Sequence, residues 1–141
     1  MIIGAQEKLE IALATVEVRF WSGMCGAAED LIINESPPKA TIDLFAAQID
    51  LVISQGICEL AALDFSNANE KLRQMGDSFQ DELHSSRLLI TQARNALNSN
   101  DNNQEQQETA VNKFRYKMLS GMYACRKKRD NCSDRLHELL D

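Results

Sequence analysis

From Phe65 to Leu97 an apolar or small residue returns every three or four positions: Phe65, Ala68, Leu72, Met75, Phe79, Leu83, Ser86, Ile90, Ala93 and Leu97. That is the period of one face of an α-helix. No proline interrupts the run, and Gly76 is its one glycine. At about 1.5 Å per residue such a helix is roughly 50 Å long. An apolar stripe of that length needs partners of similar length to cover it.

The rest of the chain supplies them. Leu9, Leu13, Val16, Phe20, Met24, Ala27 and Leu31 keep helical spacing from Ala5 to about Asn34. Gly23 and Gly26 fall inside this run, and each costs about 1 kcal/mol in a helix interior. They leave open whether the first helix is broken there. Pro37-Pro38 removes two backbone donors, so the first helix is expected to end before them. Thr41 is then the expected N-cap of a second helix over 42–63, with Asp43 in its first turn. Its core stripe is Ile42, Phe45, Ile49, Val52, Gly56, Leu60 and Leu63. Leu44, Leu51 and Ile57 widen the apolar surface beyond what one core needs. Asp64 or Ser66 is the expected cap of the third helix, 65–97.

A polar loop is expected over 98–104, where no apolar residue occurs. A last helix over 105–140 carries Val111, Phe114, Met118, Met122, Cys125, Arg129, Cys132, Leu136 and Leu139 in register. Four amphipathic segments and short connections predict an all-α, antiparallel up-down-up-down four-helix bundle, one domain over 1–141. Gly23, Gly26, Gly56 and Gly121 are expected to admit close helix approach.

The segment Gly56 to Leu72, with Asp64-Phe65-Ser66-Asn67-Ala68, resembles one tetratricopeptide repeat in its Gly, Asp-aromatic and Ala positions. A second copy about 34 residues away is missing, and a solenoid needs roughly three stacked units. The bundle therefore stays the expected fold.

The opening MIIGAQEKLE has no basic segment followed by an apolar one. No uncharged apolar run approaches the ~20 residues that span a bilayer. A cytoplasmic setting is expected. The four cysteines, Cys25, Cys58, Cys125 and Cys132, are accordingly read as reduced, mostly buried, small hydrophobes. Cys125 and Cys132 are too far apart on one helix to bridge. No phosphate-cradling loop, zinc spacing or nucleophile elbow occurs, so no enzyme activity, cofactor or metal is expected.

Charge is unevenly placed. Residues 1–110 hold seven Lys/Arg against seventeen Asp/Glu, a net −10, and residues 111–141 hold eight against four, a net +4. Arg126, Lys127, Lys128 and Arg129 form the densest basic cluster. Three functional readings follow. The first is a non-catalytic protein–protein interaction module: an adaptor, a regulatory subunit or a dedicated chaperone. It would meet another protein, or a second copy of itself, through Leu44, Leu51 and Ile57, with Arg126–Arg129 as an electrostatic rim. The second is phosphotransfer. His84, with Arg87 three positions on, resembles the site of histidine phosphotransfer domains, which implies a phosphorylated His84 and a phosphate-holding Arg87. Leu88 stands where that family carries a small residue. The third is binding of nucleic acid or anionic membrane by the basic last helix. Phe114, Tyr116 and Tyr123 are too sparse for stacking on single strands, and neither nucleic acid nor membrane is the expected partner.

Overall fold

The structure is a computed structural model that describes residues 4–63, 69–99 and 103–141. It contains four helices: α1 (Ala5–Ile33), α2 (Pro38–Ala61), α3 (Asn69–Ser99) and α4 (Gln104–Leu140). The described residues include no strand. Contacts between neighbouring helices run in opposite order along the chain. On α1 and α2, Arg19 meets Glu59, Gly23 meets Val52, and Asp30 meets Gln48. On α2 and α3, Asp43 meets Arg94, Asp50 meets Arg87, and Gly56 meets Phe79. On α1 and α4, Glu17 meets Cys132, Cys25 meets Cys125, and Leu31 meets Arg115. These pairings define an up-down-up-down bundle, with α2 and α4 on one diagonal and α1 and α3 on the other.

The core is built from the stripes themselves. All seven α1 positions, from Leu9 to Leu31, are buried. Ile42, Phe45, Ile49, Ile53 and Leu60 join them from α2, Phe79, Ile90, Ala93 and Leu97 from α3, and Val111, Phe114 and Met122 from α4. Two ring contacts cross the diagonals. Phe20 stacks on Phe79 with centroids 3.9 Å apart. Phe45 meets Phe114 edge-on at 5.6 Å.

Several boundaries differ from the sequence expectation. The second helix begins at Pro38, four residues before the expected start. Pro38 occupies the first helical position, where a missing N–H costs nothing and the ring's φ is already helical. Thr41 is therefore inside the helix and not its cap. It is buried, and its hydroxyl donates to the Ser36 and Pro37 carbonyls at 2.9 and 3.1 Å. The same helix ends at Ala61, two residues earlier than expected, in a turn where the Leu63 N–H reaches the Leu60 carbonyl. Asn98 and Ser99 extend α3 into the expected loop. At the start of α4 the Asn103 side chain accepts from the Gln106 N–H at 3.1 Å, so the helix begins at Gln104. Phe65 and Ala68, and the caps expected at Asp64 or Ser66, lie outside the described residues.

The first helix is continuous through Gly23 and Gly26. The two glycines have different roles. A Cβ built on Gly23 would lie 2.9 Å from both Val52 methyls, so only hydrogen fits between α1 and α2 there. Gly56 is closed in by the Phe79 and Phe20 rings in the same way. A Cβ on Gly26 or on Gly121 meets nothing within 4 Å, so neither serves a close helix approach. Gly26→Ala is accordingly expected to raise stability by about 0.5–1 kcal/mol by restricting the unfolded chain. Gly23→Ala should lower it by about 1–3 kcal/mol through overpacking. Urea unfolding of the two variants checks the opposite signs, and equal effects would refute this account of the α1–α2 contact.

A candidate interaction surface on the second helix

Helix α2 presents one side to α1, another to α3, a third to the core and a fourth to solvent. Each of its three acids is held at a flank. Asp43 pairs with Arg94 of α3 at 3.0 Å, and Asp50 with Arg87 of α3 at 3.9 Å. Glu59 pairs with Arg19 of α1 at 3.4 Å. Gln48 donates to Asp30 of α1 at 3.0 Å. Such exposed pairs each contribute little to stability. What they do here is fix the charges at both edges. Between the edges runs an exposed stripe without a charged residue: Leu44, Ala47, Leu51, Ser54 and Cys58. Leu44 is 46% and Leu51 59% exposed. Ile57 was expected on this surface, but it is half-buried and packs against the core.

Among the described residues α2 is the one helix long and apolar enough, by length and composition, to cross a membrane. Asp43, Asp50 and Glu59 interrupt the stretch, so it holds no long uncharged run. Its apolarity has two separate sources: the core stripe, which the bundle buries, and the outer stripe, which it leaves open.

The basic cluster does not adjoin this surface. It lies on α4, across the diagonal from α2, so it cannot form a rim around Leu44 and Leu51. Three of its four cations are engaged locally. Arg126 pairs with Glu29 of α1 at 3.2 Å. Lys128 approaches Glu82 of α3 at 3.9 Å and sits 4.6 Å over the Trp21 ring. Arg129 is half-buried and pairs with Asp130 at 3.2 Å. Lys127 is the exposed member with no ion-pair partner among the described residues. The four side chains fan around α4, as four consecutive helical positions must.

His84 is exposed on α3. Arg87 turns to Asp50 on α2, so the cation that a phosphorylated His84 would use is already paired. Arg115 is another α4 cation. It closes the end of α1, donating from Nε to the Leu31 carbonyl at 3.1 Å and from Nη2 to the Asn34 carbonyl.

A second exposed stripe went unnoticed in the sequence. Tyr116, Leu119 and Tyr123 are 72%, 54% and 78% exposed and share one face of α4 with Lys127. Their spacing of three and four is the signal that could have found them. A groove of about 260 Å³ opens between α3 and α4. Trp21, Met24, Phe45, Ile49 and Cys125 line it together with Met118 and Met122, and Glu82, Lys117 and Lys128 supply its charge.

The cysteines are less uniform than expected. Cys25 is buried, Cys125 and Cys132 are half-buried, and Cys58 is exposed on the outer stripe of α2. Burial, with the Cys25 contact and the Glu82 charge adding to it, pushes the Cys125 thiol up to about 12. Burial and the Glu17 carboxylate push Cys132 up to about 11. Among the described residues no three His, Cys, Asp or Glu side chains converge as a metal site would require. No protein-family model, no curated protein and no solved structure matches the chain.

Proposed function

We propose that the chain is a non-catalytic helical interaction module, an adaptor, regulatory subunit or dedicated chaperone, whose contact surface is the outer face of α2. One observation carries this reading: the stripe Leu44–Leu51–Cys58 is apolar, exposed and free of charge, while every acid of the same helix is neutralised at its edges. Contact cores are depleted in charge and ringed by polar groups in this way. A partner helix lying along α2 would meet Leu44, Ala47, Leu51 and Ser54 without desolvating an unpaired ion, which is the costly event in association.

The test is size-exclusion chromatography with light scattering, together with affinity capture, for the parent chain and for Leu44→Glu/Leu51→Glu. Both leucines are exposed, so the double variant should fold with little loss of stability. It should lose at least tenfold in affinity for whatever the parent binds, copy or partner, since each leucine removes roughly 1.5–3 kcal/mol of burial. A parent chain that stays monomeric and captures nothing, or a double variant that binds unchanged, rejects the proposal.

A further inference from the structure

Cys25 lies in the middle of α1 and Cys125 faces it from α4. The two sulfur atoms are 2.8 Å apart, although 100 positions separate them in the chain. Both are free thiols. A disulfide bond is about 2.05 Å long, so the sulfurs need to close by only about 0.8 Å. The other two cysteines do not compete for this contact. Cys132 donates to Glu17 at 3.5 Å, and Cys58 is on the opposite diagonal helix, facing solvent. Cys25 is 1% exposed and has no route to a reagent of its own. Cys125 does, because it lines the groove between α3 and α4.

We propose that Cys25 and Cys125 are an oxidation site, at which hydrogen peroxide converts the thiol pair into a disulfide joining α1 to α4. The Cys125 sulfur, entered from the groove, attacks one peroxide oxygen as its thiolate. The O–O bond breaks, the distal oxygen leaves as water after taking a proton, and Cys125 becomes a sulfenic acid. The Cys25 sulfur then attacks the Cys125 sulfur. Its proton leaves with the displaced hydroxide as a second water, and the S–S bond forms. Two thiols and one hydrogen peroxide thus give one disulfide and two waters. The charged groups near Cys125 are Glu82 from α3, which opposes the thiolate, and Lys128 from α4, which favours it. Helix α2 contributes only Phe45 and Ile49 to this groove. The raised Cys125 thiol keeps the thiolate scarce at neutral pH, so the pair rests reduced and responds to sustained oxidant.

The experiment uses the full chain, treated with hydrogen peroxide, alkylated, and analysed by intact mass, peptide mapping and thermal melting. The expected result is an intact mass about 2 Da lower before alkylation, and after it Cys25 and Cys125 in one linked peptide pair with Cys58 alkylated. The melting temperature should rise on the order of 10 °C, because a link across 100 positions constrains the unfolded chain. The rise should persist in Cys58→Ala and vanish in Cys125→Ala. Unlinked Cys25 and Cys125 after oxidation, a link mapped to Cys58 or Cys132, or a link between two chains would each overturn the proposal. These outcomes are independent of whether α2 binds a partner.

Discussion

Phe79→Ala is expected to lower the free energy of unfolding by about 3–5 kcal/mol, the range for deleting a fully enclosed ring. Phe79 is 2% exposed and lies where three helices meet. Its ring stacks on Phe20 at 3.9 Å, with an angle of 14° between the planes, and covers Gly56 of α2. Removing it unpacks α1, α2 and α3 together, and the surrounding side chains, held by their helices, can fill only part of the space. Phe45→Ala should fall in the same range, since Phe45 is 1% exposed and meets Phe114 across the other diagonal. Urea denaturation measures both. A loss below about 1 kcal/mol for either would mean that the core is not built as described. A loss at the upper end is a large share of the 5–15 kcal/mol that holds most domains together.

The second large effect is expected at Arg115, where a surface count would predict none. The last turn of α1 has no basic residue of its own. Its final carbonyls lack partners within the helix and carry the negative end of the dipole. The guanidinium of Arg115, from α4, donates to the carbonyls of Leu31 and Asn34, and Asn112 steadies it at 3.0 Å. Hydrogen bonds from a charged donor contribute about 1.5–3 kcal/mol, and Arg115→Ala should cost that much in chemical denaturation. Arg115→Lys should recover less than half, because a single ammonium cannot span both carbonyls as a fork does. An alanine variant as stable as the parent would show that solvent can replace the fork.

The two residues mark what was legible in the sequence and what was not. Phe79 was readable because periodicity reports which face of a helix is buried, and the α1 stripe from Leu9 to Leu31 is buried at every position read from its spacing. Arg115 was not. Its partners lie 84 and 81 positions away, and only the rotation and height of α4 against α1 decide whether it meets a carbonyl or solvent. The Cys25–Cys125 contact was hidden for the same reason. The start of α2 was misread on chemistry that was available, since a proline that ends one helix can also open the next. For the candidate surface, Leu44 and Leu51 followed from the excess of apolar positions on α2, whereas the edge ion pairs needed the neighbouring helices in place. The expected rim of Arg126–Arg129 conflicts with topology that was itself legible, since short connections in an up-down-up-down bundle already put α2 and α4 on a diagonal. Tyr116 and Tyr123 were legible only as scattered aromatics, although their spacing with Leu119 puts all three on one face of α4.

The pairing of α1 with α4 also sets a timetable for synthesis. Helix α1 packs more extensively on α4 than on any other helix. The α4 residues hydrogen-bonded to α1 at Leu31 and Glu17 come 84 and 115 positions later in the chain. A ribosome adding roughly 5–20 residues per second needs on the order of 5–20 s to make that length. During that interval α1 has α2, and then α3, to pack on, but not the helix it packs on most extensively. A nascent chain halted before Val111 would therefore hold three helices around an open apolar seam, and α4 is the helix that closes it.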